Sequence, residues 1–389
     1  MDAVSITAPM GFSATGVACG IKPGALDLAL VVAEQPAVTA ALFTQNQAAA
    51  APVLSSRASL CRSHLKRGVV VNSGYANAAT GSQGMHNAAV MSATLAAEID
   101  CEPNDILVCS TGTIGPQLPM DRVVPGIRAA VPRLGSTPES GAHAATAIMT
   151  TDSVVKQAVV QRDGWVIGGM SKGAGMVRPN MATMLAFITT DAIVEFDLLE
   201  EVLKAAVDAS FNSLNIDGCE STNDTVIAMA SHHSDVAPDA MEFRTAMEEV
   251  CRDLALQMAR DAEGASRVVT IDVAGALDDA QARYLGRLVA DSVLVRSSFY
   301  GGDVNWGRIL GALGTADVNI DPDTITINYE GVDVFSSGAQ SDFDEVALLD
   351  GMEDGDFAIG IGVGDGRGEA HIVTTDLTPE YVVFNGERS

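Results

Sequence analysis

Apolar positions along the chain fall into two patterns. Short runs rich in Val and Ile, each bounded by Gly, Ser, Asn or Asp, predict strands at 68–72, 106–110, 165–169, 184–190, 225–230 and 268–273. Between them, Leu199, Val202, Leu203 and Ala206 recur at i, i+3, i+4 and i+7. Phe243, Met247, Val250, Leu254 and Met258 keep the same period. Both sets predict amphipathic helices with a buried stripe. Pro238 and Asp239 are placed to open the second helix and Gly264 to stop it. Towards the C-terminus, Ile325, Ile327 and Tyr329 alternate with polar residues, and 357–363 and 381–384 add further strand signals, so a second sheet is expected there. Residues 136–141, 235–239 and the acid-rich 342–356 read as connectors. The pattern as a whole is mixed α/β, with sheets layered by helices.

Charge narrows the function. With 23 Lys and Arg against 50 Asp and Glu, the net charge is −27. Such a surface repels phosphate backbones and anionic membranes, which excludes a nucleic-acid or membrane role by the ordinary route. No basic start followed by an apolar block marks a leader, and no apolar run approaches the ~18 to 20 residues that span a bilayer, so a cytoplasmic protein is expected. The six cysteines form no C-x-x-C, and the tandem His232 and His233 have no clustered third ligand, so no metal site and no cofactor are expected. Reduced, mostly buried thiols are the simpler reading.

The glycine-rich segments do not carry phosphate-loop spacing. GGMSKGAG at 168–175 sets Lys172 before a glycine with no Ser or Thr behind it, and GIGVGD at 360–365 lacks the last glycine of a dinucleotide fingerprint. No G-x-S-x-G and no H-E-x-x-H is present. The unusual segment is KGAGMVRPNMATMLAFITTD at 172–191, a Gly- and Pro-containing loop that runs through Thr183 directly into a strand. Thr183 can be read as a strand-entry residue. It can also be read as a nucleophile whose hydroxyl attacks the preceding carbonyl, cutting the chain between Ala182 and Thr183. A free α-amine, with a pKa of about 7.7 to 8.0, would then serve as general base for its own hydroxyl. CSTGTIG at 109–115 is a strand end where the Thr111 hydroxyl and the Gly112 amide could meet one oxygen.

With these segments the sequence resembles the ornithine acetyltransferase family, also called glutamate N-acetyltransferase, of arginine biosynthesis. The likeness extends over nearly the whole chain: GFSATGVACG at 11–20, VNSGYANAATG at 71–81, STGTIG at 110–115, IMTTD at 148–152, the 172–191 segment, STNDT at 221–225, DAEGAS at 261–266, NWGRIL at 305–310 and DLTPEYVVFN at 376–385. The resemblance implies a DmpA-like, self-cleaving N-terminal threonine enzyme. Its α chain would be 1–182 and its β chain 183–389, joined as an α2β2 heterotetramer. Thr183 would take the acetyl group of N2-acetylornithine and pass it to glutamate, with Thr111 and Gly112 as the oxyanion hole. Thr151, Lys172, Thr183, Glu263, Asn385 and Ser389 would contact substrate. Acetyl-CoA enters as a further donor through the same resemblance, although the missing phosphate loop and the charge of −27 weigh against strong CoA binding. Alternatives are a self-cleaving amidohydrolase or aminopeptidase with water as acceptor, and a non-catalytic paralogue that binds acyl-amino acids. The tail NGERS is one residue shorter between Asn385 and Ser389 than the family ending. Trp306 reads as a packing anchor, and the Asn223–Asp224 pair as a turn.

Overall fold

The computed structural model describes residues 4–178, 184–352 and 355–387. These form two compact units, one of residues 1–212 and 219–258, the other of 213–218 and 259–389.

In the first unit the strands are β1 (Phe12–Val17), β2 (Leu28–Phe43), β3 (Leu65–Tyr75), β4 (Ile106–Thr113), β5 (Lys156–Arg162), β6 (Trp165–Lys172), β7 (Leu185–Thr190) and, later in the chain, β9 (Thr225–Ala230). They make one mixed sheet in the order β4-β3-β2-β9-β7-β6-β5, with β1 paired to β2. β3 and β4 run parallel, as do β7 and β9, and the remaining pairs are antiparallel. Strands covered on both faces read as unbroken apolar runs. Hence Val69, Val70, Val71, Leu107 and Val108 are all buried, and their segment was legible without alternation. The long strand β2 was not predicted. Its register with β3 breaks between Val32 and Ala37, where Glu34, Gln35 and Pro36 are exposed. Before the break β2 pairs with β1 and β3; after it, Ala37 and Val38 still pair with β3 while Val38 to Phe43 pair with β9, so one bulged strand serves two parts of the sheet. Among the helices, α1 (Ala51–Leu60), α2 (Gly81–Glu98), α3 (Met120–Ala130) and α4 (Pro138–Ile148) belong to the N-terminal part. The two predicted helices are α5 (Phe196–Asp208) and α6 (Ala240–Arg260).

The second unit holds β8 (Leu214–Asn215), β10 (Val268–Ala276), β11 (Thr326–Tyr329), β12 (Val332–Ser336), β13 (Ala339–Gln340), β14 (Phe357–Gly362) and β15 (Gly368–Thr375). Their order is β13-β12-β11-β14-β10-β15-β8. Its helices are α7 (Asp279–Asp291), α8 (Val293–Tyr300), α9 (Trp306–Leu313), α10 (Glu345–Met352) and α11 (Pro379–Glu387). Trp306 stacks on Phe335 at 4.8 Å between ring centroids and packs against the core of this unit, as an anchor should.

Four local expectations are corrected. Residues 381–384 are helical, because Thr378 accepts the N–H of Tyr381 through Oγ1 and Pro379 opens α11, a start signal that overrides the strand propensity of Tyr-Val-Val-Phe. Ser136–Gly141 is no plain connector either, since Thr137 caps α4 by accepting from Ser140 N–H and Pro138 begins it. The acid-rich 342–356 contains α10, with Leu348 and Met352 buried under its charged face. Pro238 lies outside α6, which is capped by Asp239 Oδ1 accepting from Met241 N–H at 2.8 Å. Of the six cysteines, Cys109 and Cys251 are buried, Cys19 and Cys101 are half-buried, and Cys61 and Cys219 are exposed.

Candidate active site

Strand register sets the site. Lys172, the last residue of β6, lies opposite Leu185 on β7; Leu185 pairs with Thr225 on β9, and Thr225 with Phe43 on β2. One row across the sheet therefore brings together the end of the 165–172 strand and the entries of the next two. Just outside it, Met184 donates its N–H to Oδ1 of Asp224 at 3.0 Å, and Met184 O accepts from Thr225 N–H at 3.1 Å. Asp224 is 0% exposed. Burial pushes its carboxyl well above the usual range, although bonds from Met184 and Ser221 and the charge of Lys172 pull the other way. Its second oxygen, Oδ2, is buried without a hydrogen-bond partner.

The other side of the site is the end of β4. Thr111 and Gly112 lie opposite Ser73 and Gly74 of the parallel strand β3. Gly112 has φ +125°, and a Cβ there would stand 2.2 Å from the carbonyl carbon of Gly74, so both the turn and the close strand approach require glycine. Asn223 braces this turn from β9's entry: Nδ2 donates to Ala76 O at 2.6 Å and Ser110 O at 2.8 Å. Lys172, 4% exposed, donates from Nζ to Oγ1 of Thr111 at 3.3 Å. Because an ammonium only donates, that contact occupies a lone pair of Oγ1 and leaves the Thr111 proton to point at an incoming oxyanion.

Lys172 stands in a buried charge cluster. Asp152 Oδ1 accepts from Lys156 Nζ at 2.7 Å and from Gly173 N–H at 2.7 Å, and its Oδ2 accepts from Thr150 N–H at 3.0 Å. Burial by itself would raise the Asp152 carboxyl, but the charges of Lys172 and Lys156, with the bonds from Lys156 and Thr150, bring it down to about 2. Half-buried Lys22 donates from Nζ to Met149 O at 2.8 Å. Desolvation lowers its ammonium and the nearby charge of Lys172 adds to this, against Asp27 and Asp152. In a chain of net charge −27, this corner concentrates lysines. It suits a carboxylate-bearing ligand.

In the second unit, Oε2 of Glu263 accepts from Nδ2 of Asn385 at 3.1 Å. Asn385 sits on α11, which approaches Gly264 so closely that a Cβ at φ +68° would be 2.4 Å from Tyr381 N. Thr378 Oγ1 donates to Gly264 O at 2.5 Å, and Tyr381 Oη meets Asp217 at 3.3 Å, which ties the helix down.

The sequence profile of the ArgJ family matches residues 13–389. The chain belongs to the ArgJ family. It is 42% identical over 388 residues to an arginine biosynthesis bifunctional protein ArgJ of Thermobifida fusca, covering 99% of this chain and 100% of that one. A Mycobacterium tuberculosis protein of the same name is 43% identical over 398 residues, covering 100% and 97%. Among solved structures, ornithine acetyltransferase from Mycobacterium tuberculosis, complexed with ornithine, is 42% identical and covers 46% of this chain and 96% of its own, at a TM-score of 0.44. The l-aminopeptidase d-ala-esterase/amidase of Ochrobactrum anthropi is 12% identical at a TM-score of 0.41, covering 67% and 86%. The family resemblance is thus borne out: this is an ArgJ-family acyltransferase of arginine biosynthesis with a mixed α/β fold.

Of the residues expected from ArgJ-family motifs, Thr111, Gly112 and Lys172 converge, and half-buried Thr151 precedes Asp152 in the charge cluster. Glu263 and Asn385 form a pair of their own. Ala182, Thr183 and Ser389 lie outside the described residues. Sequence reasoning missed Asp152, Lys156, Lys22, Asn223 and Asp224. Asn223 and Asp224, read as a turn, are both buried and wire Met184 to the Thr111 turn. A polar pair set just before the apolar run Val226–Ala230 of β9 was the signal available for them. Among the described residues, no cluster of three His, Cys, Asp or Glu could hold a metal, and no helix is long and apolar enough to cross a membrane.

Proposed function

We propose that the chain cuts itself between Ala182 and Thr183 and then transfers acetyl from N2-acetylornithine to glutamate through an acetyl-Thr183 ester. The observation that carries this reading is the meeting of the Thr111–Gly112 turn and Lys172 on the sheet edge that begins with Met184, the residue after Thr183. In the first half-reaction Thr183 Oγ1 attacks the acetyl carbonyl while its proton passes to the Thr183 α-amine. The oxyanion is met by the Thr111 hydroxyl and the Gly112 amide. The C–N bond breaks, the proton goes to the leaving nitrogen, and ornithine departs. In the second half-reaction the amine of glutamate attacks the ester carbonyl, and Oγ1 leaves with its proton restored. Thr151, Lys172, Glu263, Asn385 and Ser389 are assigned to substrate contact, with lysine suited to a carboxylate and Glu263 to an ammonium. The α2β2 assembly of chains 1–182 and 183–389, a cytoplasmic location and use of acetyl-CoA as a second donor belong to the same proposal.

Intact mass before and after mixing with acetylornithine tests it. Two chains split before Thr183, with the second gaining one acetyl group, is the expected result, and Thr183→Ala should stay uncut and inactive. Acetyl transfer by the Thr183→Ala chain would refute the nucleophile. Acetylornithine hydrolysis at the same rate with and without glutamate would replace the transferase with a hydrolase.

A further inference from the structure

We propose that Lys22 determines specificity in the transfer reaction: its ammonium, beside Lys172, holds the α-carboxylate of the acetylated amino acid and of the amino-acid acceptor. The inference deepens the function proposed above, rests on it, and adds a residue to it.

Three observations carry it. The first is where the side chain lies. A Cβ at Gly74 of β3 would stand 2.5 Å from Cγ2 of Ile21 and 3.3 Å from Cγ of Lys22, so the stem of Lys22 runs across that glycine. Gly74 is the residue opposite Gly112, which puts Lys22 one strand away from the Thr111–Gly112 turn. The second is how the residue is held. Asp27, 0% exposed, accepts Cys19 N–H at 2.6 Å through Oδ1, and through Oδ2 it accepts the N–H groups of Gly20 at 3.0 Å and Lys22 at 2.8 Å. Its own carbonyl accepts Ser73 N–H at 2.9 Å. One buried carboxylate thus fastens the 19–22 loop to β3 and sets Lys22 in place before any ligand arrives. The third is charge. Lys22 Nζ gives one proton to Met149 O at 2.8 Å, two residues before Thr151, and makes no ion pair with a carboxylate among the described residues. Asp152 is near, but its oxygens are taken by Lys156, Gly173 and Thr150. The ammonium is nevertheless half-buried and has the like charge of Lys172 close by. Two such cations, brought together and partly stripped of water, match a carboxylate that each can meet with a charge-assisted hydrogen bond.

Substrate chemistry says which carboxylate. In N2-acetylornithine the carbon bonded to the amide nitrogen carries the α-carboxylate, whereas the δ-ammonium lies three carbons further along. With the acetyl oxygen at the Thr111–Gly112 turn, the α-carboxylate is the first charge beyond the reacting carbonyl. Glutamate is built the same way, since its attacking amine and its α-carboxylate share one carbon. A cation one strand from the turn therefore serves both half-reactions. The class selected is the α-amino acid and its N-acetyl derivative, against amines that lack the carboxylate.

The test compares N2-acetylornithine with N-acetylputrescine, the same molecule with hydrogen in place of the α-carboxylate, in wild type, Lys22→Met and Lys22→Arg. Methionine keeps an apolar stem over Gly74 and removes the charge. The readout is kcat/KM for each donor with glutamate as acceptor; where acetylputrescine is not turned over, its inhibition constant against acetylornithine takes that place. The ratio of the two donors does not depend on how much of a variant is folded. Lys22→Met should lower kcat/KM for acetylornithine by about 10 to 100 fold, the size of one lost charge-assisted hydrogen bond, mainly through KM. KM for glutamate should rise with it, acetylputrescine should change by less than about twofold, and Lys22→Arg should retain most of the selectivity. An equal loss on both donors, or no loss on acetylornithine, would overturn the inference and leave Lys22 as a clamp on the C-terminal end of α4. Absence of acetyl transfer to glutamate in the wild type would instead refute the function on which the inference rests, which separates the two failures.

Discussion

Replacing Asp152 by Asn keeps the side chain's shape and removes its charge, so the loss can be worked from the structure. Asp152 and Lys156 meet at 2.7 Å with both side chains 0% exposed. The Asp152 carboxyl titrates at about 2 against an ordinary 3.8, a gap worth about 2 kcal/mol at ~1.4 kcal/mol for each tenfold change. Taking one partner from a buried pair costs about 3 to 5 kcal/mol, because the other charge stays buried. Asp152→Asn should therefore cost between about 2 and 5 kcal/mol at pH 7. The sign follows from the direction of the shift. A depressed carboxyl stabilises above its unfolded value and loses that contribution as pH falls from about 4 to about 2, so the wild type should lose stability in that window and the variant should lose less. The assay is urea unfolding in the uncut Thr183→Ala background. The chain has two tryptophans, Trp165 in the first unit and Trp306 in the second, so Trp306→Phe leaves Trp165 as reporter. Adding Lys156→Met to Asp152→Asn should recover most of the loss, since the ammonium left without its carboxylate is then no longer buried. A loss below about 1 kcal/mol, or an acid limb equal to that of the wild type, would refute the reasoning.

Asp224→Asn should behave oppositely in stability: a carboxyl raised by burial costs the fold stability once pH exceeds its unfolded value, so the variant should melt no lower than wild type at pH 7 by calorimetry. On the proposed mechanism Thr111→Val should lower kcat by about 100 to 1,000 fold with circular dichroism unchanged, since it removes the proposed oxyanion donor together with the oxygen that accepts from Lys172 Nζ. Gly112→Ala, with its Cβ 2.2 Å from Gly74, should lose both activity and stability, read by turnover and melting temperature together. Thr378→Ala removes the cap of α11 at a cost of about 1 kcal/mol and should raise KM for acetylornithine more than it lowers kcat.

Legibility followed the kind of force involved. Strands β3, β4, β6, β7 and β9 were readable because burial on both faces writes itself as an apolar run, and β10 because buried Val269, Ile271 and Val273 alternate with Thr270, Asp272 and Ala274. β2 was not, since its pattern is broken by the exposed Glu34-Gln35-Pro36. At 381–384 a cap decided the element and propensity misled. The Thr111–Gly112 turn was readable because its chemistry and its backbone requirement lie in adjacent residues. The Asp152–Lys156 pair was not: the two are four residues apart but on no helix, and only tertiary burial gives them meaning. Asp224 is the same case, because its role depends on Met184, brought near by strand pairing across forty positions.

The strand order β4-β3-β2-β9-β7-β6-β5 has a consequence for the life of the molecule. A cut before Thr183 leaves β7 and β9 on one chain and every other strand of this sheet on the other. The two strands are held between β2 and β6 by six residue pairs on each flank. The products of the proposed cut would thus be woven together, and dilution alone should not part them. Once denatured, they would meet again as two molecules, at a rate set by concentration, and without the intact chain that first wove the sheet. Synthesis as one polypeptide would then be a single-use folding aid, spent when the enzyme becomes active.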